Sequence, residues 1–306
     1  MKKAFLCALL LALALSLCAC GSISYSYTNA SKYTSGGTVI VHPVDSLEID
    51  WIDGSVTVAY HKESTVEISE TANRNLSDVE KLHWWLDGAT LHIKYARSET
   101  TITGNPQKAL TVTLPENANV PLQSVEIASV SGSIHAVPLY AESVNLSSVS
   151  GSINAECAAD ALNASTVSGK ITLNASANEI RLSATSGAMD ADIGHAKTLD
   201  VSGTSGKIRV NAVEIKKAEI DSISGAVEAA FQKTESLKIG TVSGSVRLSL
   251  PIDLGFTADF STVSGSLNNH TAAQRTGNRC VLGDGSAAIN VSTVSGSFTL
   301  EAYQEK

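Results

Sequence analysis

The sequence predicts an all-β protein whose main part is a parallel β-solenoid (β-helix) of 18- to 19-residue coils. Ser-Gly pairs recur along the chain at a nearly constant spacing, and apolar residues alternate on both sides of each pair. The composition agrees, because aromatic residues make up only 5% and charged residues 17%, while Ser, Thr, Ala, Val and Gly are abundant. Such a composition suits strands joined by tight turns.

The Ser-Gly pairs mark the repeats. Their glycines are Gly132, Gly151, Gly169, Gly187, Gly206, Gly225, Gly244, Gly265 and Gly296, separated by 19, 18, 18, 19, 19, 19, 21 and 31 residues. The residues five before and two after each glycine are apolar throughout. One unit of this length cannot bury its apolar face, whereas stacked units bury a continuous one. The pattern therefore predicts strand, corner and strand in every coil.

Each corner is expected to need glycine because its backbone would adopt a positive φ. The preceding serine is small and can hydrogen-bond to the corner backbone or to the next coil. The sequence has no strict hexapeptide period, which argues against the triangular left-handed form, and parallel crossovers favour a right-handed course.

The part before these repeats, residues 39–120, is predicted to be a less regular β section. Leu47 and Ile49 before Gly54 repeat the coil spacing, so this section is expected to begin the same stack. Residues 121–306 are predicted to form the solenoid proper. An excursion at 268–288 is interpreted either as a partner-binding loop or as a cap that shields the last strand edge.

The first 19 residues have the plan of a secretory signal peptide, with two lysines, an apolar run and small residues. Leu17-Cys18-Ala19-Cys20 resembles the lipobox of bacterial lipoproteins, which implies a lipid (palmitate-type) anchor on Cys20. Residues 20–38 are polar and are predicted to be a flexible tether. The chain is thus expected to be extracytoplasmic and lipid-anchored to a bacterial cell membrane. The alternative is an ordinary signal peptide with an incidental cysteine.

The formal charge of −8 offers no electrostatic footprint for nucleic acid. Cys157 and Cys280 are predicted to be free thiols. Roughly six coil steps of ~4.8 Å separate their repeats, whereas a disulfide needs Cα atoms within ~7 Å.

No catalytic residue, metal site or cofactor is predicted. The residues three after the glycines include Asp190, Arg209, Glu228 and Arg247, whose alternating signs indicate stabilising ladders between coils. Asp190 with Asp192 provides too few oxygens for Ca²⁺. A carbohydrate-active enzyme would need carboxylates outside the ladders, such as Asp192 or Asp284.

All three tryptophans lie in the N-terminal third, and alternation places Trp85 on the outer face. Trp85 is interpreted either as a platform for a glycan or as part of a cap on the open end of the stack. Together with Asp284 in the excursion, Trp85 is a candidate partner contact.

The SVSGSI units, the IDWIDGSVTV and LHWWLDGATLHIKY runs and the late GDGSAAINVSTVSGSFTL resemble the putative adhesin family of bacterial extracytoplasmic β-strand-repeat proteins over residues 40–306. The resemblance implies membrane attachment and transfers no catalytic residue. We expect a non-enzymatic, adhesin-like surface module that binds a cell-envelope polymer (glycan) or a surface protein. The alternatives are a carbohydrate-active β-helix enzyme and a structural or sensory envelope-stress protein.

Overall fold

The structure is a computed structural model that describes residues 22–104, 106–116 and 121–303. Its contacts divide the chain into two compact units, one up to Ala155 and one from Glu156. The predicted signal peptide and the predicted lipid site, Cys20, lie outside the described residues. Within those residues, no helix is long and apolar enough to cross a membrane.

The first unit consists of short strands and one short 3-10 helix, Ala30–Lys32. The strands are β1 (Ser22–Tyr25), β2 (Thr34–Ser35), β3 (Thr38–Ile40), β4 (Ser46–Trp51), β5 (Ser55–His61), β6 (Val66–Thr71), β7 (His83–Asp87), β8 (Thr90–Lys94), β9 (Thr100–Thr103), β10 (Ala109–Pro115), β11 (Leu122–Ser129) and β12 (Ser133–Ser148).

The first coils of the solenoid lie in this unit. β4 pairs in parallel with β11, and β5 pairs in parallel with the start of β12. Leu47 faces Val125, and Ile49 faces Ile127, as the spacing before Gly54 predicts. The predicted boundary at residue 120 therefore falls inside one compact unit, because the strands on its two sides pair with each other.

Antiparallel strands finish the outer end of this stack. β7 pairs antiparallel with β8, and β6 pairs antiparallel with β10. β3 then adds to β6. A change of strand direction interrupts the repeating parallel edge to which another coil would add.

The interpretation of residues 20–38 as a flexible tether is wrong for most of the described part. β1 pairs antiparallel with β9, and β2 pairs antiparallel with β7. The reason lies in tyrosines that pack on the first unit, as described below. We call residues 22–35 the strap.

The second unit contains the long, regular strands. They are β13 (Ile153–Thr166, which starts before the division), β14 (Ile171–Ala184), β15 (Met189–Gly203), β16 (Ile208–Ser222), β17 (Val227–Thr241), β18 (Val246–Pro251), β19 (Phe256–Thr262), β20 (Leu267–His270), β21 (Gln274–Thr276), β22 (Arg279–Leu282), β23 (Ala287–Thr293) and β24 (Phe298–Tyr303).

β14 to β17 pair in parallel with a step of 18 or 19 residues, so the predicted parallel β-solenoid is confirmed. Each inner column is apolar: Leu182, Val201, Ile220 and Ile239 succeed one another and are at most 1% exposed. Cys157 and Cys280 are buried and free, as predicted.

The last coils are not stacked in sequence order. Residues 236–251, 256–270 and 287–303 form three consecutive coils along the chain, and the third lies between the first two. β23 pairs with β17 on one side and with β19 on the other. β24 pairs likewise with β18 and β20. We call residues 287–303 the inserted coil.

The excursion forms a cap on the coil of residues 256–270. β22 pairs antiparallel with β19, and β21 pairs antiparallel with β22. Arg275 Nη1 donates to the carbonyl oxygen of Leu267 in β20 at 2.9 Å. The capping role predicted for this segment is therefore present, and a partner-binding role stays a prediction.

The corner glycines have a different cause from the one predicted. None of the nine is among the described glycines with positive φ, although Gly54, at the start of the stack, has a φ of 90°. Glycine is required because successive corners stack closely: a Cβ on Gly206 would lie 1.9 Å from the carbonyl oxygen of Gly187. The same clash occurs at 2.0 Å between Gly225 and Gly206.

Hydroxyl groups hold several of the corners in two ways. The serine before the glycine bonds to the neighbouring coil, as predicted: Ser224 Oγ donates to the carbonyl oxygen of Thr204 at 3.2 Å. Where the residue three before the glycine is threonine, it adds a cap within the coil that the sequence analysis missed. Thr241 Oγ1 accepts from the Gly244 amide at 3.0 Å, and Thr293 Oγ1 accepts from the Gly296 amide at 2.8 Å.

Candidate binding face

The first unit carries a row of polar and aromatic side chains across its outer face. Trp85 of β7 is the register partner of His92 in β8, and His92 is the partner of Glu48 in β4. Glu48 faces Glu126 of β11, which faces Asn145 of β12. Five adjacent strands thus present one side chain each over four strand spacings, roughly 19 Å. We call these five residues the outer row.

The strap supplies aromatic rings to one end of this row. The ring of Tyr25 lies 5.5 Å from that of Tyr27, and Tyr27 lies 4.8 Å from Tyr33. Tyr33 meets Trp85 edge-on at 5.7 Å. The Tyr27 amide also donates to Ser98 Oγ at 2.9 Å, and Ser98 Oγ donates back to the Tyr27 carbonyl oxygen at 3.0 Å. Aromatic pairs of this geometry contribute about 0.5–1.5 kcal/mol each, which explains why the strap is ordered.

Trp85 itself is half-buried and held by three neighbours. The imidazole of His92 stacks on its ring at 5.2 Å with an interplanar angle of 20°. Lys32 Nζ lies 4.3 Å from the ring centroid, a distance at which an ammonium is attracted to an aromatic face. The indole therefore has a fixed orientation at the end of the outer row, on the face that alternation predicts.

A lysine ties the carboxylates of this face together. Lys94 Nζ lies 3.0 Å from Glu48 Oε1 and forms a short contact with Asp50 Oδ2. His92 Nδ1 lies 3.1 Å from Glu48 Oε2. Burial alone would lower the pKa of Lys94, but Asp50 and Glu48 outweigh burial and raise that pKa above its ordinary value. Lys94 thus stays charged and holds the two carboxylates in place.

Glu126 has the most distinctive electrostatics in the row. Desolvation raises the pKa of its carboxyl, and the neighbouring carboxylates of Glu48 and Asp50 raise it further. Lys94 and a hydrogen bond from Asn145 oppose the rise. Glu126 is exposed, so its carboxyl can accept hydrogen bonds from a ligand or take up a proton.

A second lysine of the first unit, Lys108, is buried and makes only internal contacts. Lys108 is fully buried, with Nζ 2.9 Å from Glu70 Oε2 and 2.6 Å from the carbonyl oxygen of Glu80. Its ammonium also lies 4.4 Å from the ring centroid of Tyr95 and 5.1 Å from that of Trp51. With no accessible surface, Lys108 cannot meet a ligand, and its contacts instead link β6 with the segment around Glu80 and with the rings of Trp51 and Tyr95.

The structure gives Asp284 a role inside the excursion. Its Oδ1 accepts from the Ser286 amide at 3.0 Å, and the hydrogen bonds from Ser286 lower the pKa of the carboxyl. Asp192 Oδ1 accepts from Asn211 Nδ2 at 2.7 Å. At least three strand spacings, roughly 14 Å, separate their coils, whereas glycosidase carboxylates lie about 5–9.5 Å apart. The two acids do not form a catalytic pair.

The predicted charge ladders form where coils are neighbours in space. Arg209 Nη2 lies 2.5 Å from Asp190 Oδ1, and Lys238 contacts Glu219. The inserted coil separates Lys238 from Asp259, which both stand six residues before the glycine in consecutive repeats of the sequence. Asp259 instead binds Arg279 at 2.7 Å. Arg247 keeps Glu228 as its register partner, as predicted, and also lies 3.2 Å from Glu301 of the inserted coil. Across the described ranges, no group of three His, Cys, Asp or Glu side chains could hold a metal ion.

Sequence reasoning missed most of the outer row, although the repeat pattern contains the signal for it. Glu48, Glu126 and Asn145 all stand six residues before a glycine of the repeat, so an alignment of the coils stacks them. The strap tyrosines give no such signal, because they meet Trp85 through contacts between residues about 50 positions apart in sequence.

The model of one protein family, described as Toastrack DUF4097, matches residues 44–301. The chain belongs to the Toastrack DUF4097 family. The family-level prediction over residues 40–306 is confirmed by this match.

Three solved structures illustrate the similarity. A putative lipid binding protein from Parabacteroides distasonis is 16% identical, with 89% of this chain and 98% of that chain covered and a TM-score of 0.46. A putative adhesin from Bacteroides fragilis is 11% identical over 88% and 98% of the chains, with a TM-score of 0.37. A putative adhesin from Parabacteroides merdae is 15% identical over 88% and 97%, with a TM-score of 0.32. No curated protein matches the chain.

Proposed function

We propose that this protein is a non-enzymatic surface module that binds a cell-envelope polysaccharide through the outer row of its first unit. The observation that carries the proposal is the fixed indole of Trp85 in one row with the carboxylates of Glu48 and Glu126 and the amide of Asn145. An indole edge offers apolar contact to a sugar ring. Carboxylate and amide oxygens accept hydrogen bonds from hydroxyl groups.

The proposal includes an anchor on Cys20 that places the module on the outer side of a bacterial membrane. The strap begins two residues after this cysteine and is held to the first unit by β1 and β2. The anchor would thus tether the unit that carries the outer row. Labelling of cells with a radioactive fatty acid tests it: the wild type should be labelled and Cys20→Ala should not. Labelling of the variant, or none of the wild type, would refute the anchor.

Binding is tested with the purified protein on a bacterial glycan array, followed by titration with soluble peptidoglycan fragments. Trp85→Ala and Glu126→Ala should each weaken binding about tenfold, because a lost apolar contact or hydrogen bond costs about 1–1.5 kcal/mol. Asp192→Ala, on the outer face of the second unit, is the matched control and should leave binding unchanged. Equal affinity of all four proteins would reject the outer row as the site.

One observation favours a second candidate, a carbohydrate-active enzyme. Glu48 and Glu126 face each other on adjacent strands. Partial desolvation and the neighbouring acids raise the pKa of Glu126, the direction that suits a general acid. The ion pair of Glu48 with Lys94 ties up the second carboxylate. Release of reducing sugars that Glu126→Gln abolishes, with binding retained, would establish the enzyme and reject the non-enzymatic proposal.

A further inference from the structure

The inserted coil fills a gap between two coils that precede it in the chain. Its inner residues Ala287, Ile289, Val291, Phe298 and Leu300 are at most 1% exposed. Both of its strands have backbone partners on both sides. Without the inserted coil, two parallel edges and a strip of apolar core would face an open slot.

The inserted coil fits between its neighbours through a corner sequence and a stacking contact that all three coils share. Residues 241–245, 262–266 and 293–297 each read Thr-Val-Ser-Gly-Ser. The corners also stack through the same contact: a Cβ on Gly296 would lie 2.0 Å from the carbonyl oxygen of Gly244, and one on Gly265 would lie 2.0 Å from that of Gly296. Backbone pairing and a repeated corner decide the fit, and neither depends on which chain supplies the coil.

A tight turn connects the inserted coil to the cap. β22 and β23 pair with the same residues of β19, antiparallel and parallel respectively, so they lie on its opposite edges. Residues 283–286 must therefore reverse direction around the start of β19. Gly283 and Gly285 have φ values of 60° and 70°, and the Ala287 amide donates to the carbonyl oxygen of Gly255 at 3.0 Å. We call residues 283–286 the hinge.

We propose that the inserted coil can enter the slot of a second copy of this chain, so that two copies exchange residues 287–303. In the exchanged form the hinge straightens and β22 stays with its own β19. The pairs that β23 and β24 make with β17, β18, β19 and β20 are re-formed between chains, and the other strand pairs stay within each chain. Reciprocal exchange of an identical element is a known low-cost route to dimers, and hinge strain promotes it. The proposal is independent of the polysaccharide site.

A cysteine pair distinguishes the two forms. Asn268 of β20 and Thr299 of β24 are register partners on the outer face. Neighbouring strands lie about 4.8 Å apart, which is within the Cα range for a disulfide. In the chain carrying Asn268→Cys and Thr299→Cys, with Cys7, Cys18 and Cys20 changed to Ser, oxidation links one chain to itself in the closed form and two chains in the exchanged form. Cys157 and Cys280 are buried and do not compete.

The hinge is tested by adding Gly285→Ala to this pair. A Cβ at Gly285 would lie 2.8 Å from Thr257 Oγ1 at a φ of 70°, so the closed turn is strained. We expect the ratio of covalent dimer to monomer on non-reducing gels to rise about tenfold, since a left-handed alanine is disfavoured by roughly one such factor. Gly277→Ala is the control: its φ is 61°, nothing lies within 4 Å of its Cβ, and it is outside the hinge. That variant should match the parent pair.

If Gly285→Ala does not fold, refolding of the parent cysteine pair at different protein concentrations tests the exchange instead. The parent pair is refolded from denaturant at low and high protein concentration and then oxidised. Covalent dimer that increases with concentration supports exchange. Crosslinks that stay within one chain at every concentration would overturn it.

Discussion

The two units are stabilised in different ways. In the second, β14 to β17 run for 14 or 15 residues each, and one pattern of aliphatic columns and stacked glycines repeats from coil to coil. The first unit contains strands of 2 to 8 residues before β12 and buries charged groups such as Lys108 and Lys94. The first unit is held together by individual contacts that are not repeated from coil to coil.

The contrast between the two units indicates where a binding site can arise in a repeat fold. A regular coil offers the same surface many times, and its outer side chains are used in ladders such as Asp190 with Arg209. The irregular unit can combine groups that no repeat would bring together, here Trp85 with His92 and Lys94 with two carboxylates. Substitutions in the two units should therefore have different consequences.

The largest effect is expected at Lys108. Lys108→Met removes a fully buried ammonium from Glu70 and leaves that carboxylate without its partner. Loss of one partner of a buried pair costs about 3–5 kcal/mol. Urea denaturation should show this loss, whereas Lys170→Met, whose exposed side chain lies 3.6 Å from Asp190, should cost less than about 1 kcal/mol. Equal losses in both variants would contradict the distinction between the units.

The next largest effect tests the stacked corners. Gly206→Ala places a Cβ 1.9 Å from the carbonyl oxygen of Gly187, and both backbones are fixed in the ladder. We expect a loss of about 2–3 kcal/mol in the free energy of unfolding, as for other overpacked sites. Gly88 has a φ of 62°, and an added Cβ would have no atom within 4 Å. Gly88→Ala should therefore cost about 1 kcal/mol from backbone strain alone. Similar costs would show that the corners do not need glycine for close stacking.

A smaller effect is expected in the strap. Tyr33→Ala removes the ring that joins Tyr27 to Trp85 and should free residues 22–35 at a cost of about 0.5–1.5 kcal/mol. Limited proteolysis should then cut the strap several times faster while the rest of the chain stays resistant. Tyr140→Ala, which removes a side chain that is 54% exposed, is the control. An unchanged cleavage rate at the strap would show that Tyr33 does not hold it.

The smallest effect concerns pH. Because the pKa of Glu126 is raised in the folded state, ionisation of this carboxyl opposes folding, and the protein loses stability as pH rises from the ordinary value of about 4.3 through the raised pKa. Glu126→Gln should therefore be more stable at pH 7, by under about 0.5 kcal/mol after solvent screening, and unchanged at pH 3.5.

Glu214→Gln serves as the control of opposite sign. A hydrogen bond from Lys233 lowers the pKa of Glu214, so its ionised form favours folding and this contribution is lost as pH falls. The variant should be less stable than the wild type at pH 7. Shifts of the same sign in both variants would disprove the electrostatic assignments.

The sequence predicts the second unit well because its information is periodic. Apolar residues two after and five before each glycine determine the register of β14 to β17, and the structure follows it residue by residue. Periodicity does not determine coil order, however. Coils with the same Thr-Val-Ser-Gly-Ser corner can stack in either order. The spacing of 31 residues before Gly296 therefore does not predict that the inserted coil lies between the two coils that precede it in the chain.

The first unit was predictable only where it shares the repeat. Leu47 and Ile49 show the spacing, and Glu48 follows from them. Lys108 gives no signal, since a lysine followed by an alternating strand suggests an exposed side chain. Its burial depends on Glu70 and on the rings of Trp51 and Tyr95, which come together only in three dimensions.

We propose that the ligand binds to the outer row of the first unit and not to the repeats of the second unit. Hydrogen exchange measured by mass spectrometry, with and without saturating peptidoglycan fragments, tests this directly. We predict slower exchange in the strap, β4, β8 and β11 on binding, with β14 to β17 unchanged. Slower exchange confined to β14 to β17 would contradict the claim and place the binding surface on the repeats.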